Sequence, residues 1–178
     1  STMPMTVTNT GAAAELIVNN AGANNYAGTI TGPLALTKTA AGTLALFGAN
    51  TYTGSTTISG GRVVAGSTSS LSPSSAFTVS GGTLELDGFS STIASLAGTG
   101  TVENSNATLA TLTTGGNNTD TIFSGVIQNG TGAGTLSLVK TGSGIQTLSG
   151  TNTYTGTTAV NAGTLLVNGS HTGGTTYT

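Results

Sequence analysis

Few residues in this chain could carry out chemistry, because its 178 residues include five acidic side chains, three basic ones and one histidine. Two of the acids, Glu85 and Asp87, alternate with leucines, so a strand there would place both on one outward face, roughly 7 Å apart. An inverting glycosidase uses a similar separation. No aromatic cluster or basic residue lies nearby in the sequence to bind a sugar. We therefore interpret the pair as part of a solvated strand face and expect no catalytic residues.

A metal site is the other chemistry that these acids offer. The segment 82–85 resembles 100–103, eighteen residues later, and this spacing predicts that Glu103 stacks over Glu85 in the next turn of the chain. Two carboxylates at that distance repel unless a cation lies between them. Calcium prefers oxygen ligands. The sequence thus indicates Glu85, Asp87 and Glu103 as candidate calcium ligands, and no other cofactor is expected.

The remaining polar and aromatic candidates have simpler interpretations. His171 is the single histidine, which excludes a site of several histidines, and we expect it to be an exposed tail residue. Lys38 and Lys140 occupy the same position in two repeats, so they are expected to lay their alkyl stems on the coil surface and bond local carbonyls. Tyr52 and Tyr154 could stack on a glycan, but their repeat position favours structural packing.

The elements that must position these residues are short strands. Apolar residues alternate with polar ones over runs of about four or five residues, and glycine, asparagine, serine and threonine separate the runs. Helical periodicity is sustained nowhere. A sandwich or a closed barrel normally uses longer strands and hairpin turns, whereas these joints suit bends between the faces of a parallel β-helix. The sequence therefore predicts an all-β fold.

A long internal repeat indicates how the strands are organised. Leu36–Gly66 and Leu138–Asn168 align without a gap at an offset of 102 residues, and both contain the run Asn-Thr-Tyr-Thr-Gly. With about twenty residues per coil and 4.8 Å per coil, the chain would form eight or nine coils and a rod about 40 Å long. We expect one solenoid domain over residues 1–178, with repeats at 26–66 and 123–168, about five coils apart.

Composition excludes several classes of protein. Charged residues make up only 4% of the chain, against about a quarter in ordinary domains, and three basic residues cannot bind a nucleic acid. The absence of cysteine excludes disulfides and thiolate metal sites. Disorder is disfavoured because the net charge is only −2 and the apolar residues are regularly placed. No apolar run has the length of a membrane span, and the first residues suggest a processed or excised chain.

Two sets of residues recur in the same order at fixed spacing. The first copy contains Tyr26, Gly28, Ile30, Leu36, Lys38, Thr39, Gly42, Leu44, Leu46, Gly48, 50–54, Thr56, Thr57, Ile58, Gly60, Gly61 and Val63. The second copy contains Phe123, Gly125, Ile127, Leu138, Lys140, Thr141, Gly142, Gly144, Leu148, Gly150, 152–156, Thr158, Val160, Gly163, Thr164 and Leu165. This pattern resembles the autotransporter-associated β-strand repeat of bacterial surface proteins. The resemblance implies a right-handed parallel β-helix carried outside a Gram-negative-type cell as part of a passenger domain, where it serves as a stalk, scaffold or adhesin.

The two ends suggest how such a rod could assemble. Residues 1–10 and 169–178 contain no acidic or basic cap, and uncapped strand edges favour pairing with another chain. The residues expected to pair head-to-tail are Thr6, Val7, Thr8, Thr175, Thr176 and Tyr177.

Three functional interpretations follow from the sequence. We expect a non-enzymatic, extracellular or cell-surface structural protein that stacks into a fibre, with no membrane insertion and a glycan or host surface as a further candidate partner. The alternative is a fragment of an autotransporter passenger that acts as an adhesin or display stalk, and a polysaccharide-acting enzyme is third. A translocator encoded downstream of Thr178 in the native gene would favour the alternative.

Overall fold

The chain winds into an all-β parallel solenoid, as the sequence predicts. A computed structural model describes residues 5–173 and 176–178, and within these ranges every paired strand lies parallel to its neighbour. No helix in the described residues is long and apolar enough to cross a membrane. The strands, in chain order, are β1 (Val7–Thr8), β2 (Ala14–Val18), β3 (Ala23–Tyr26), β4 (Ile30–Thr31), β5 (Leu34–Lys38), β6 (Thr43–Leu46), β7 (Thr56–Ile58), β8 (Arg62–Ala65), β9 (Ala76–Val79), β10 (Thr83–Glu85), β11 (Ser91–Thr92), β12 (Ser95–Gly98), β13 (Thr101–Glu103), β14 (Ala110–Thr114), β15 (Thr121–Phe123), β16 (Val126–Gln128), β17 (Leu136–Lys140), β18 (Ile145–Leu148), β19 (Thr151–Asn152), β20 (Thr158–Val160), β21 (Thr164–Val167) and β22 (Ser170–His171).

The strands stack into three faces. The first face is one sheet of eight strands in the order β2-β5-β7-β9-β12-β15-β18-β21, which gives about eight coils. The second face contains the six-stranded sheet β3-β6-β8-β10-β13-β16, followed by the pair β19-β22. The third face holds the pair β1-β4 and, further along the rod, the four-stranded sheet β11-β14-β17-β20.

Period-2 alternation forms the core. In β5, Leu34, Leu36 and Lys38 are buried while the residues between them are half-buried, because successive side chains of a strand point to opposite faces of the sheet. The inward residues of successive coils join one apolar cluster that runs from Ile30 to Tyr154. Burial of these side chains, at about 25 cal/mol per Å² of apolar surface, is the main stabilisation of a rod with so few charges.

The two repeat copies lie on different faces of the rod, although their separation is close to the expected five coils. β5 belongs to the first face, whereas β17, which lies 102 residues later, belongs to the third face. The offset is therefore four coils and two further faces. The cause is variable coil length: Phe77 pairs with Leu96 nineteen residues later, but Gly98 pairs with Phe123 twenty-five residues later. Lys38 and Lys140 consequently do not mark one register along the rod.

Candidate functional site

The predicted stacking of Glu85 and Glu103 is present. β10 pairs in parallel with β13, and Glu85 lies opposite Glu103 in that register. Their environment differs from the solvated strand face that the alternation suggests, because Glu85 is only 2% exposed and Glu103 is 7% exposed. Two buried carboxylates in adjacent coils require a positive charge or several hydrogen-bond donors.

Arg62 supplies that charge from the neighbouring strand β8. Its Nη1 lies 2.5 Å from Oε2 of Glu85 and its Nη2 lies 2.7 Å from Oε1 of Glu103. The nearest donor on the far side is Gln128, whose Nε2 donates to Oε2 of Glu103 at 2.6 Å. Four consecutive coils are thus linked through side chains. We call this group, Arg62, Glu85, Glu103 and Gln128, the ion ladder.

Backbone amides complete the coordination of Glu85. Its Oε1 accepts hydrogen bonds from the amides of Asp87 and Ser105, both at 2.8 Å. All four carboxylate oxygens of the ion ladder therefore have a donor within the protein. The carboxylates stabilise the stacking of coils and the turn at Ser105, and neither is open to a substrate.

The expected pairing of Glu85 with Asp87 on one outward face is wrong. Strand β10 ends at Glu85, and Asp87 lies beyond it in a left-handed conformation with φ of 46°. Its carboxylate receives a hydrogen bond from Asn106 at 3.2 Å. Because Glu85 is covered and Asp87 points into a turn, the two carboxyl groups do not form an acid and base pair for glycoside hydrolysis.

Calcium binding by Glu85, Asp87 and Glu103 stays a prediction. Across residues 5–173 and 176–178, no three acidic or histidine side chains are grouped so that they could hold a metal ion. The guanidinium of Arg62 lies where the sequence suggested a bridging cation. Arg62 was not predicted as a partner because it lies 23 residues before Glu85 in the sequence. Arg62 pairs with Thr83 one coil away, so the coil register is the signal that would have found it.

The asparagine of the repeat links three coils. Oδ1 of Asn50 accepts a hydrogen bond from the amide of Ile30 at 2.7 Å, and its Nδ2 donates to the carbonyl of Ser70 at 2.6 Å. Asn152 makes equivalent bonds to the coils on either side of it. Both asparagines are almost completely buried. The repeated Asn is therefore a connector between coils, with no polar atom left for a ligand.

The repeated tyrosines are core residues, as their repeat position suggested. Tyr52 and Tyr154 are 0% and 1% exposed, and each phenolic oxygen lies 2.7 Å from the hydroxyl of the threonine four residues later. In the first copy that threonine, Thr56, also contacts Ser75 at 2.8 Å. Burial raises the pKa of both tyrosines to about 12. Their rings pack inside the rod and cannot act as platforms for a glycan.

The repeated lysines are also buried, which corrects the expectation that they lie along the surface. Lys38 is 0% exposed and Lys140 is 1% exposed. The expected carbonyl contacts are present: Lys38 donates to Ala40, while Lys140 donates to Thr141 at 2.5 Å, to Gly142 at 2.9 Å and to a carbonyl of the next coil. Burial lowers the pKa of both ammonium groups. Each lysine therefore stabilises a bend between two faces.

His171 is not the exposed tail residue that the sequence suggested. Its ring stacks on Tyr154 with centroids 4.2 Å apart, and Nε2 lies 2.9 Å from the carbonyl oxygen of Tyr154. Nδ1 lies 2.6 Å from the hydroxyl of Tyr177. His171 therefore links Tyr177, near the end of the chain, to Tyr154 of the second repeat.

The residues proposed for self-association already have partners inside the chain. Val7 and Thr8 form β1, which pairs with β4, and the hydroxyl of Thr6 accepts a hydrogen bond from Thr29 at 3.1 Å. At the other end Tyr177 forms a parallel bridge with Thr158, and the Thr176 carbonyl accepts from the Thr158 amide at 3.0 Å. Thr175 lies outside the described residues. One edge of each terminal segment is thus used within the chain.

The solenoid and its buried connectors define the class of protein. Residues 36–65 and 138–167 match the family described as passenger-associated-transport-repeat, and the chain therefore contains two repeats of the autotransporter passenger type. The matched segments include Asn50, Tyr52 and Lys38 and their counterparts in the second copy.

Most of this chain is similar to a short part of a much longer protein. The chain is 43% identical over 149 residues to the adhesin BmaC autotransporter of Brucella suis biovar 1 (strain 1330). The alignment covers 79% of this chain but only 4% of that adhesin. No solved structure matches the chain significantly.

Proposed function

We propose that this chain is a non-enzymatic segment of an autotransporter passenger, displayed at the bacterial surface as a stalk that carries adhesive elements. The observation that supports it most directly is the coincidence of the matched repeats with the side chains that join the coils. A rod with polar connectors inside and little charge outside suits a spacer between a cell and its surroundings. The similarity to an adhesin supports attachment, rather than catalysis, as the task of the whole protein.

The chemistry of the chain agrees with a stalk. The charged residues of the ion ladder and both repeat lysines bond to protein groups in adjacent coils or bends. The ion ladder and Lys140 therefore stabilise the stacking of coils along the rod axis, where a stalk bears load, and Lys38 stabilises a bend within its own coil. Adhesion would then depend on surface loops and on other parts of the longer protein.

Immunolabelling of the source organism tests this proposal. Antibodies raised against the purified chain should label intact cells, and external protease should remove the label without lysis. An antibody against a cytoplasmic protein is the control, since it should label only permeabilised cells. Labelling that requires permeabilisation would refute surface display, and loss of attachment after deletion of the gene would support the adhesive role.

Head-to-tail stacking into a fibre is a second proposal, which the two ends of the rod suggest. Within the described residues, β2 and β21 are the outer strands of the same eight-stranded sheet. Their unpaired edges run in the same direction, as parallel pairing between two stacked molecules requires. The first coil also opens onto an apolar cavity of about 450 Å³ between Met5, Val7, Leu16 and Val18. Size-exclusion chromatography and negative-stain imaging at high concentration should show filaments, whereas monomers alone would remove the fibre.

A further inference from the structure

The third face is interrupted in the middle of the rod. Its two sheets, β1-β4 and β11-β14-β17-β20, are separate, and residues 47–55 and 66–75, which lie between them, contain no strand. Turns interrupt the regular ladder there: the Ser70 amide bonds the Ser67 carbonyl at 3.3 Å, and the Ser75 amide bonds the Ser72 carbonyl at 3.2 Å. Single bonds between coils remain, such as that from the Asn50 amide to the Ser69 carbonyl at 3.1 Å. Pro73 has no amide hydrogen with which to continue a ladder.

The second repeat shows that the shared motif does not cause this interruption. There β19 pairs regularly with β22, and Asn152 lies opposite His171. The corresponding residues of the first repeat, Ala49 and Asn50, meet the turns of segment 67–75 instead. The same Asn-Thr-Tyr-Thr run thus lies beside a closed ladder in one copy and beside an open groove in the other. Segment 67–75 is what creates the groove.

The groove has a volume of about 330 Å³ and a defined floor and rim. Leu71, which is 2% exposed, and the buried Asn50 form the floor. The rim carries the exposed residues Thr51, Thr68, Ser69, Pro73 and Thr92. Within the described part of the chain, the hydroxyls of the three threonines and of Ser69 form no intramolecular hydrogen bond. By contrast, the hydroxyls of Ser70, Ser72 and Ser75, in the same segment, all donate to backbone carbonyls.

The lining selects the chemistry of a ligand. It combines four uncommitted hydroxyls with the apolar surfaces of Leu71 and Pro73, and none of the residues that line it is charged. Hydroxyl groups next to small apolar surfaces match a pyranose ring, whose edge is polar and whose faces are partly apolar. A charged ligand would find no counter-ion. An extended peptide is disfavoured because the adjacent edge strand, β11, is only two residues long.

We propose that this groove, between Thr51, Thr68, Ser69 and Thr92, binds a neutral sugar residue of a surface glycan. This site goes beyond a stalk function, since the rod would stand without it. The volume accommodates about one or two sugar rings, and the lack of an exposed aromatic ring in the lining predicts a dissociation constant on the order of 1–10 mM. Such weak sites become effective when many copies act together on one surface.

Amide chemical shifts of the labelled chain test the site directly. The probes are glucose, galactose, mannose and N-acetylglucosamine, each titrated to several times the expected dissociation constant. At least one should shift the amides of Thr51, Thr68, Ser69 and Thr92, and the same sugar should leave the second repeat unchanged. An uncharged serine- and threonine-containing pentapeptide is added in parallel.

Matched variants separate a groove from a general effect on the fold. Thr51→Arg should fill the groove and weaken the sugar affinity at least tenfold, whereas Thr153→Arg, at the same position of the second repeat, should leave it unchanged. Both side chains are exposed, and both backbone amides make the same type of bond to the coil below, so both variants should keep the circular dichroism spectrum. The absence of a shift with every sugar, shifts with the peptide alone, or equal loss in both variants would each overturn the proposal.

Discussion

The buried tyrosines predict that the rod loses stability in alkali within a defined window. Burial raises the pKa of Tyr52 and that of Tyr154 from the usual value of 10.0 to about 12 in the folded chain. An unfolded chain releases these phenolic protons near pH 10, so above that pH the folded state binds more protons than the unfolded state does. By linkage, stability then falls as the pH rises from about 10 to about 12. Below pH 10 neither tyrosine contributes to the pH dependence.

The magnitude follows from the size of the shifts. A shift of about two pKa units corresponds to about 2.7 kcal/mol per tyrosine, so the pair should cost about 5 kcal/mol by pH 12. That is a large part of the stability of an ordinary domain. Lys38 and Lys140 act in the opposite direction, because their lowered pKa values make stability rise with pH up to about 10.5. Between about pH 10.5 and about pH 12, the loss of stability therefore comes from the tyrosines.

Urea denaturation at a series of pH values measures this loss, and the ultraviolet absorbance of phenolate reports ionisation in the folded state. The double variant Tyr52→Phe and Tyr154→Phe is the matched control. At neutral pH it should be less stable by about 1 kcal/mol for each lost hydrogen bond. Near pH 12 it should be more stable than the parent chain. If all four tyrosines ionise near pH 10 in the folded chain, or if the variant keeps the same pH dependence, the reasoning is refuted.

Three further predictions concern the coil connectors. Arg62→Ala should lower the free energy of unfolding in urea by about 2–3 kcal/mol, less than the usual cost of breaking a buried pair, because the arginine side chain is 37% exposed. Adding Glu85→Gln and Glu103→Gln should restore part of this stability. A loss of less than about 0.5 kcal/mol on Arg62→Ala would contradict the ion ladder. Asn50→Ala should cost about 2–4 kcal/mol, because two buried backbone groups lose their partner, and an unchanged urea midpoint would exclude the connector. EGTA should not change the melting temperature, since Arg62 bridges the carboxylates, whereas a rise on adding calcium would support Glu85, Asp87 and Glu103 as ligands.

The sequence predicts the parts of this structure that depend on local pattern. Alternation of apolar and polar residues gives the parallel coils, and the similarity of segments 82–85 and 100–103 gives the register that pairs Glu85 with Glu103. Burial of Glu85 could not be predicted that way, because its cover comes from the turn at Ser105, twenty residues away. The open groove is not predicted for a similar reason: segment 67–75 has the composition of any polar joint, and only its turns interrupt the third face.

The role of the repeated motif follows from its position on different faces of the rod in the two copies. Leu36 and Lys38 lie on the first face and their counterparts Leu138 and Lys140 lie on the third, two faces further along the path of the chain. All four side chains are nevertheless buried, and the asparagine of each copy bonds to the coils on either side of it. A motif that bound one partner through several copies would have to lie on the same face of the rod in each copy. One that joins a coil to the coils on either side is free to rotate, because its bonds run parallel to the axis. The motif therefore explains how the rod holds together, and recognition is expected where the chain departs from it, as it does in segment 67–75.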